Sequence, residues 1–442
     1  MGTTSKRGYI VLLVVATLVF GVLAPMAGAL SPSTTRLAGT DRYGTAVAIS
    51  QAAFPTGASN VFIANGSGFP DALAGGVAAA NANGPILLVQ QNSIPAVTAT
   101  ELTRLGPTEI TILGGTATVS SAVETALSTY AATVRRLWGA DRFATAAAIA
   151  SDTFPSGAST VVLAAGYNFP DALAGSPAAT KLNAPLLLTR STVLPTVTAT
   201  AITTLGASRV VILGGTIAVS AGVEAAVGAL AGVTSVERWA GLDRFATATT
   251  ISQKEWSCGN FTVYVASGLN FPDALAGGPP AGIDGAPMLL VKTDSVPTPT
   301  YDELRRLRAV EVLILGGTSA VSDTTKTAID SILAMPTYND APTVTITSPP
   351  DLSTYVTTWQ GSAWGAQVTF TATTDDANCD SVTVTWTSNV DGALGSGSTI
   401  SPTLEIPFGL DSSQPTITAT VTDSYGASST DSIQVKLLVP SP

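Results

Sequence analysis

The chain of 442 residues contains no histidine, and this absence removes several kinds of chemistry. Catalytic triads that use histidine as the base, and zinc sites ligated by histidine, cannot be built from it. The P-loop pattern Gly-x-x-x-x-Gly-Lys is also missing, which excludes the common nucleotide-binding loop. A glycosidase needs only two carboxyl groups, so that class of enzyme stays open at this point.

Charged residues are scarce at 11% of the chain, and negative charge predominates. Lys and Arg total 20 against 30 Asp and Glu, for a net charge of −10. Proteins bind nucleic acid by neutralising its phosphates with cations, so we exclude nucleic acid as a partner. Hydrophobic residues make up 45%, which is ample material for several buried cores.

Cysteine is nearly absent, with only Cys258 and Cys379. In an oxidising compartment the two residues can form a disulfide between distant parts of the chain. The alternative is two unpaired thiols, because sequence does not show whether the residues approach within bridging distance.

Long apolar runs are confined to the first 29 residues, which have the pattern of an export signal. Lys6 and Arg7 precede an uncharged, mostly apolar run of 16 residues from Tyr9 to Ala24, and Ala27-Gly-Ala29 offers a small-residue cleavage site. A membrane span needs about 20 apolar residues, and because this run is shorter, we favour a signal that is cleaved. We therefore predict that 1–29 is a signal peptide. The alternative is that the segment stays uncleaved and anchors the protein in the membrane. We expect no other contact with a membrane.

Three motifs occur three times each, at offsets of 100 and then 102 residues. The first runs from Arg36 to Arg42 and returns at 136–142 and 238–244. The second, Phe-Pro-Asp-Ala-Leu-Ala-Gly, stands at 69–75, 169–175 and 271–277. The third, Ile-Leu-Gly-Gly-Thr, stands at 112–116, 212–216 and 314–318. Whole units were copied, and repetition of a weak site usually serves binding, because multiplicity raises the effective concentration.

Each unit alternates short apolar strands with helical stretches. In the first unit, 61–64, 85–89 and 109–113 are apolar on consecutive positions, which is typical of strands buried on both faces. Helical stretches begin near Asp41, Asp71, Pro95 and Ser120. This alternation predicts a parallel α/β layer domain in each unit.

The repeated charged residues follow strands, at the sheet edge where open α/β folds bind ligands. Taken singly, an Asp that begins a helix is usually a cap and Gly-Gly is usually a turn. Their return in all three units indicates that they either bridge the repeats or contact a ligand. The residues concerned are Arg36, Asp41, Arg42, Asp71, Arg136, Asp141, Arg142, Asp171, Arg238, Asp243, Arg244 and Asp273.

The combined motifs resemble the cell wall binding repeat 2 family, in three copies that we place at 34–133, 134–235 and 236–335. The resemblance implies a Rossmann-like fold for each copy, with the three copies packed around a pseudo-threefold axis. It also implies non-covalent attachment to an anionic wall polysaccharide, and hence a protein of the cell wall or cell surface. The family's Ile-Leu-Leu stretch matches Ile86-Leu-Leu88, which we interpret as a buried central strand.

On this basis the twelve repeated residues form a candidate polymer-binding set, with arginines on acidic groups and aspartates on sugar hydroxyls. Asp41 and Asp71 also make a candidate glycosidase pair, but a triplicated active site is unusual. We therefore expect a protein with no catalytic residues, no cofactor and no metal site. The alternative is an adhesin or assembly protein whose repeats bind protein partners.

After a linker at 336–342, residues 343–439 change to short runs of alternating Thr, Ser and Val. This period of two predicts an antiparallel Ig-like or PKD-like sandwich, with Trp386 in its core. Asp375, Asp376 and Asp423 are either solvated turn carboxylates or calcium ligands between strands. We expect the sandwich to act as a spacer or to contact a protein partner.

Overall fold

The computed structural model describes residues 32–68, 73–257, 259, 262–335, 339–376 and 379–440. It confirms three α/β repeats around a pseudo-threefold axis, followed by an all-β Ig-like sandwich. The predicted signal peptide, Asp71 and Cys258 lie outside the described residues. Cys379 is disulfide-bonded. Within the described part of the chain, no helix is long and apolar enough to cross a membrane.

The three copies repeat one order of strands and helices. The first copy contains β1 (Ser33–Leu37), α1 (Arg42–Ala53), β2 (Asn60–Asn65), α2 (Gly75–Asn81), β3 (Ile86–Val89), α3 (Ala96–Leu105), β4 (Glu109–Leu113) and α4 (Ser121–Leu127). The second contains β5 (Thr133–Leu137), α5 (Arg142–Thr153), β6 (Thr160–Ala165), α6 (Pro170–Lys181), β7 (Leu186–Thr189), α7 (Thr196–Thr204), β8 (Arg209–Leu213) and α8 (Ala221–Gly228). The third contains β9 (Ser235–Trp239), α9 (Arg244–Glu255), β10 (Thr262–Ser267), α10 (Pro272–Ile283), β11 (Met288–Val291), α11 (Thr298–Arg306), β12 (Glu311–Leu315) and α12 (Asp323–Leu333).

Each copy gives its first strand to the sheet of another copy. The parallel sheets have the orders β3-β2-β4-β5, β7-β6-β8-β9 and β11-β10-β12-β1. Thus β5 completes the first sheet, β9 completes the second, and β1 returns to pair with β12 of the third. The repeat body is therefore a closed ring, and its sheets cross the boundaries that we placed at 133/134 and 235/236.

Helices α2, α6 and α10 pack against one another where the three copies meet. Small residues make this close approach feasible: Ala78, Ala174 and Ala276 are all at most 5% exposed. The rings of Phe169 and Phe271, at the starts of α6 and α10, lie 6.0 Å apart. The recurring Ala-Leu-Ala-Gly sequence thus builds the junction between copies.

Strand β3 carries the Ile-Leu-Leu stretch, and all three side chains are at most 1% exposed. Our interpretation of it as a central strand was wrong, because β3 stands at one end of its sheet. It is nevertheless covered, since α1 of the same copy and α10 of the third copy pack against it. Deleting these side chains would open the contact between copies as well as the core of the first.

The Ig-like sandwich follows the repeats. Its strands are β13 (Thr343–Ser348), β14 (Ser353–Val356), β15 (Thr358–Trp359), β16 (Trp364–Gln367), β17 (Phe370–Asp375), β18 (Val382–Ser388), β19 (Gly392–Ser396), β20 (Thr399–Ile400), β21 (Thr403–Glu405), β22 (Ser412–Ser413), β23 (Thr416–Asp423) and β24 (Ser428–Leu438). The pairing is antiparallel except between β14 and β24, which are parallel. Trp386 is buried as predicted, with its ring 5.7 Å from that of Phe370.

Candidate functional site

The three aspartates that begin helices α1, α5 and α9 are N-caps. Asp41 Oδ1 accepts hydrogen bonds from the backbone N–H groups of Tyr43 and Gly44, at 3.0 and 2.9 Å. Asp141 and Asp243 repeat these contacts at 2.9–3.0 Å. Such caps stabilise a helix by about 1 kcal/mol. The cap occupies Oδ1 and explains the aspartate in each copy, and all three aspartates are exposed.

The arginine that follows each cap holds the loop after the next strand. Arg42, Arg142 and Arg244 each donate from Nη1 to a glycine carbonyl 24 residues later, at 2.6–2.7 Å. Because one edge of each guanidinium is held in this way, its remaining donors have a fixed direction. These three arginines therefore have a structural role that does not exclude contact with a ligand.

The arginines on the exchanged strands bridge the copies. Arg36 on β1 donates to the carbonyl of Gly316 at 2.9 Å and to Asp323 at 3.0 Å, both in the third copy. Arg136 and Arg238 make the same kind of contact with a glycine carbonyl and a glutamate of the preceding copy. Their side chains are 8–17% exposed. The sequence left two alternatives for the repeated charged residues, bridging the repeats or contacting a ligand. These three arginines bridge the repeats.

Asp171 and Asp273 lie in the first turns of α6 and α10, next to the Gly-Gly turns. A side chain added at Gly214 would place its Cβ 2.3 Å from Asp171 Oδ2, and Gly316 stands in the same relation to Asp273. Each aspartate also lies within the electrostatic influence of an arginine of the next copy, Arg244 for Asp171 and Arg42 for Asp273. The structure thus brings predicted site residues of different copies together. Asp71 lies outside the described residues.

Burial raises the pKa of Asp171 to about 6, against an opposing effect of Arg244. Burial also raises the pKa of Asp273, opposed by a hydrogen bond from Thr45 and by Arg42. A carboxyl group whose pKa is higher in the folded than in the unfolded chain stabilises the fold at low pH. That contribution is lost as the pH rises through about 6.

We therefore expect Asp171→Asn to change the pH dependence of stability. The asparagine is neutral at every pH, so the free energy of unfolding of the variant relative to wild type should be higher at pH 7.5 than at pH 4.5. The expected difference is about 2 kcal/mol. Urea unfolding at the two pH values measures it, and a difference that does not change with pH would contradict the burial of an ionisable Asp171.

A groove of about 390 Å³ opens between the first and second copies. It is lined by Gly68, Thr118, Asp141, Arg142, Phe143, Tyr167 and Arg190. The guanidinium of Arg142 lies 4.6 Å from the centre of the Tyr167 ring, and that of Arg190 lies 5.3 Å from the Phe143 ring. Tyr167 is 55% exposed. Two cations and an exposed aromatic face therefore share one solvent-accessible groove.

Arg190 differs from the bridging arginines in being exposed at the end of β7. Within the described residues it forms no ion pair with a carboxylate, and its guanidinium lies over the Phe143 ring. Arg190 and Tyr167 were not among the predicted site residues, because those were chosen for their return in all three copies. Gln90 and Lys292 stand at the positions matching Arg190, so a comparison of the variable positions would have found it.

In the sandwich, Asp376, Asp380 and Asp423 bring carboxylate oxygens within 4.8 Å of one another. Two of these were candidate calcium ligands, whereas Asp375 is not part of the cluster. The guanidinium of Arg308, from the third copy, forms an ion pair with Asp380. A protein cation therefore already faces this acidic cluster.

The three repeats match a family of known proteins. The model of cell wall binding domain 2 (CWB2) matches residues 36–124, 136–224 and 238–326, which together exceed half of the chain. The chain belongs to the CWB2 family. Cell wall binding is accordingly the function of its three repeats.

Two curated proteins of Bacillus subtilis (strain 168) are similar to this CWB2 protein. N-acetylmuramoyl-L-alanine amidase LytC is 31% identical over 316 residues, or 72% of this chain and 62% of the amidase. The amidase enhancer is 29% identical over 290 residues, or 65% of this chain and 39% of the enhancer. The chain thus spans less than two thirds of either relative, and the similarity to the amidase covers the binding repeats.

Two solved structures from Clostridium difficile share the fold of the CWB2 repeats. Cwp6 has a TM-score of 0.64 at 25% identity, covering 74% of this chain and 51% of its own. Cwp8 has a TM-score of 0.61 at 26% identity, covering 68% of this chain and 51% of its own. These similarities agree with a ring of three α/β repeats.

Proposed function

We propose that the three repeats attach this protein non-covalently to an anionic polysaccharide of the cell wall and that the Ig-like sandwich is displayed from them. The observation that carries the proposal is the groove containing Arg142, Arg190 and Tyr167. Guanidinium groups form paired hydrogen bonds with phosphate or carboxylate, and an aromatic face packs against a sugar ring. We further propose that residues 1–29 direct export and that the chain is not an enzyme.

The net charge of −10 opposes binding of an anionic polymer over long distances. At physiological ionic strength, screening limits such repulsion to about 8 Å. Arginines within the groove contact the polymer at shorter range, so they act despite the negative surface. The electrostatic attraction is therefore local, and it depends on a few exposed cations.

Within the twelve-residue set we propose different roles for different residues. Arg36, Arg136 and Arg238 close the ring, and the three N-cap aspartates order the helices beside the grooves. Arg142 keeps a direct role in our proposal because it lines the groove together with Arg190 and Asp141. In that arrangement, Asp141 accepts hydrogen bonds from sugar hydroxyls while the two arginines bind the acidic group.

Sedimentation with purified walls tests the proposed partner. The full chain should sediment with protein-free walls and remain in solution with the same walls after removal of their anionic polymer. Equal binding to both preparations would contradict the proposal. Binding only to walls that keep their surface proteins would support the alternative, in which the repeats bind a protein.

The sandwich exposes several large apolar side chains to solvent. Trp359 is 56% exposed, Leu410 is 55% exposed, and Phe408 is fully exposed. Large apolar side chains at the surface are typical of interaction sites when they cluster. We propose that the sandwich contacts a protein while the repeats hold the wall.

Raising the ionic strength should increase the rate at which this protein associates with the anionic polymer. Raising salt from 10 to 150 mM shortens the screening length from about 30 to about 8 Å, which removes most of the repulsion between protein and polymer. We expect the association rate constant for the anionic polymer to increase several-fold. Stopped-flow or surface-based kinetics measures it. A fall would indicate attraction by the overall field, which the net charge does not provide.

A further inference from the structure

Two residues that line the groove of the second copy differ from their counterparts in the other copies. Arg190 of the second copy is replaced by Gln90 in the first and Lys292 in the third. Tyr167 is replaced by Ser67 and Leu269. The matching positions are exposed in all three copies, so the differences change what each copy offers to a ligand.

The second copy presents two arginines, each against an aromatic ring. Contacts with the Tyr167 and Phe143 rings restrict the two guanidinium groups, which reduces the entropy lost when they bind an anion. The third copy has a lysine, whose Nζ lies 6.0 Å from the Phe245 ring, beside an aliphatic Leu269. The first copy has a neutral amide, and the Oε1 atom of Gln90 accepts a hydrogen bond from Ser93.

We propose that the groove of the second copy is the principal binding site for the acidic sugars of the polymer, that the third copy is weaker and that the first is weakest. The ligand is a sugar carrying phosphate or carboxylate, with its acidic group between Arg142 and Arg190 and its ring on Tyr167. This inference rests on the proposed function and adds a specific site to it.

The copies themselves supply the substitutions for a test. Arg190→Gln gives the second copy the residue of the first, Lys292→Gln does the same in the third, and Gln90→Arg gives the first copy the arginine of the second. With a purified fragment of the anionic wall polymer, Arg190→Gln should weaken binding at least tenfold and Lys292→Gln less than threefold. Gln90→Arg should strengthen it. Competition by glucose 1-phosphate or by glucuronate identifies the acidic group.

The outcomes separate the inference from the proposed function. If the wild-type chain does not bind the fragment, the proposed function fails. If it binds and all three variants bind equally well, the repeats bind the polymer elsewhere and only the ranking of the grooves fails. All three substituted side chains are exposed, so circular dichroism should show unchanged folding.

Arg308, at the turn that ends α11, has an unusual backbone conformation for an arginine. It has a φ of +47°, in the left-handed region. The matching residues of the first two copies are Gly106 and Gly206, with φ of +58° and +71°. An L-residue pays a free-energy cost in this conformation that glycine avoids. Arginine therefore occupies this turn despite the free-energy cost of a positive φ. We infer that its side chain has a specific use there.

That use is contact with the Ig-like sandwich. The guanidinium of Arg308 forms a two-point ion pair with Asp380, with Nη2 2.8 Å from Oδ2, and lies 5.5 Å from the Tyr425 ring. The Asp380 side chain is 4% exposed and that of Arg308 is 17% exposed. Beside them, Asn339 donates to Asp423 at 2.8 Å. Buried two-point pairs of this kind fix orientation as well as distance.

We propose that Arg308 clamps the sandwich to the third repeat, so that the displayed domain and the wall-binding ring move as one body. The arginine also offsets part of the negative charge of the cluster formed by Asp376, Asp380 and Asp423. In copies one and two the matching residue is glycine, which has no side chain for such a contact.

Arg308→Gly tests the clamp by restoring the residue of the sister copies. Small-angle X-ray scattering of the full chain, in reductant because Cys379 is disulfide-bonded, should show a larger maximum dimension and a broader distance distribution than wild type. Asp380→Asn should give an intermediate change, and the distant Arg190→Gln should give none. Scattering of Arg308→Gly identical to wild type, with both domains folded by circular dichroism, would overturn the clamp.

Discussion

Gly214→Ala should destabilise the repeat body by about 3 kcal/mol, combining an unfavourable φ with overpacking. Gly214 has a φ of +92°, which L-residues rarely adopt. Its added Cβ would lie 2.3 Å from the Oδ2 atom of Asp171, well inside van der Waals contact. Asp171 is held in the first turn of α6, between two copies, so it cannot withdraw without disturbing the junction. Thermal or urea unfolding of the full chain measures the loss.

The adjacent Gly215 provides a matched control. A Cβ added at this position would meet no other atom within 4 Å, and the φ of Gly215 is not positive. Gly215→Ala should therefore change the free energy of unfolding by less than about 0.5 kcal/mol, as expected for surface substitutions. Equal losses in the two variants would mean that the Gly-Gly pair serves turn formation in general. The contact between the third motif and Asp171 would then contribute little.

Trp386→Ala should unfold the Ig-like sandwich while the repeats continue to bind the wall. Trp386 is 1% exposed, packs against Phe370 and donates from Nε1 to the Gly397 carbonyl at 2.8 Å. Removing a buried tryptophan costs about 3–5 kcal/mol. For a domain of this size the melting transition should fall by at least about 12 °C. Calorimetry follows the transition, and sedimentation follows wall binding.

Trp359→Ala is the corresponding control, because Trp359 is 56% exposed on the same domain. We expect little change in melting temperature and full wall binding. Loss of wall binding in Trp386→Ala, without any change in the melting of the repeats, would show that the sandwich takes part in anchoring. That result would contradict our proposal that the repeats bind the wall without help from the sandwich.

Local sequence patterns predicted most elements of the repeats, because buried parallel strands and capped helices have strong local signatures. Asp41, Pro95 and Ser120 do stand immediately before helices α1, α3 and α4. The exchange of strands between copies was not predicted. A strand such as β1 has the same local pattern whether it pairs with β12 or with a strand of its own copy, and only long-range packing decides.

The candidate site was harder to predict for a related reason. Residues that return in every copy include those that hold the ring together, such as Arg136, which is 8% exposed and paired with Glu124. Repetition cannot distinguish that role from ligand contact. Arg190 and Arg308 depart from the repeat, and each departure marks an exposed or unusual position. In a triplicated chain, such differences between copies indicate specialisation.

The most direct test of anchoring by local cations is a calorimetric titration of the full chain with the purified anionic wall polymer at 150 mM salt. The wild-type protein should bind saturably, and a polymer preparation freed of its acidic groups should not bind. Equal binding of the acidic and neutral polymers would show that the repeats recognise the sugar backbone alone. The arginines of the groove would then have no part in anchoring.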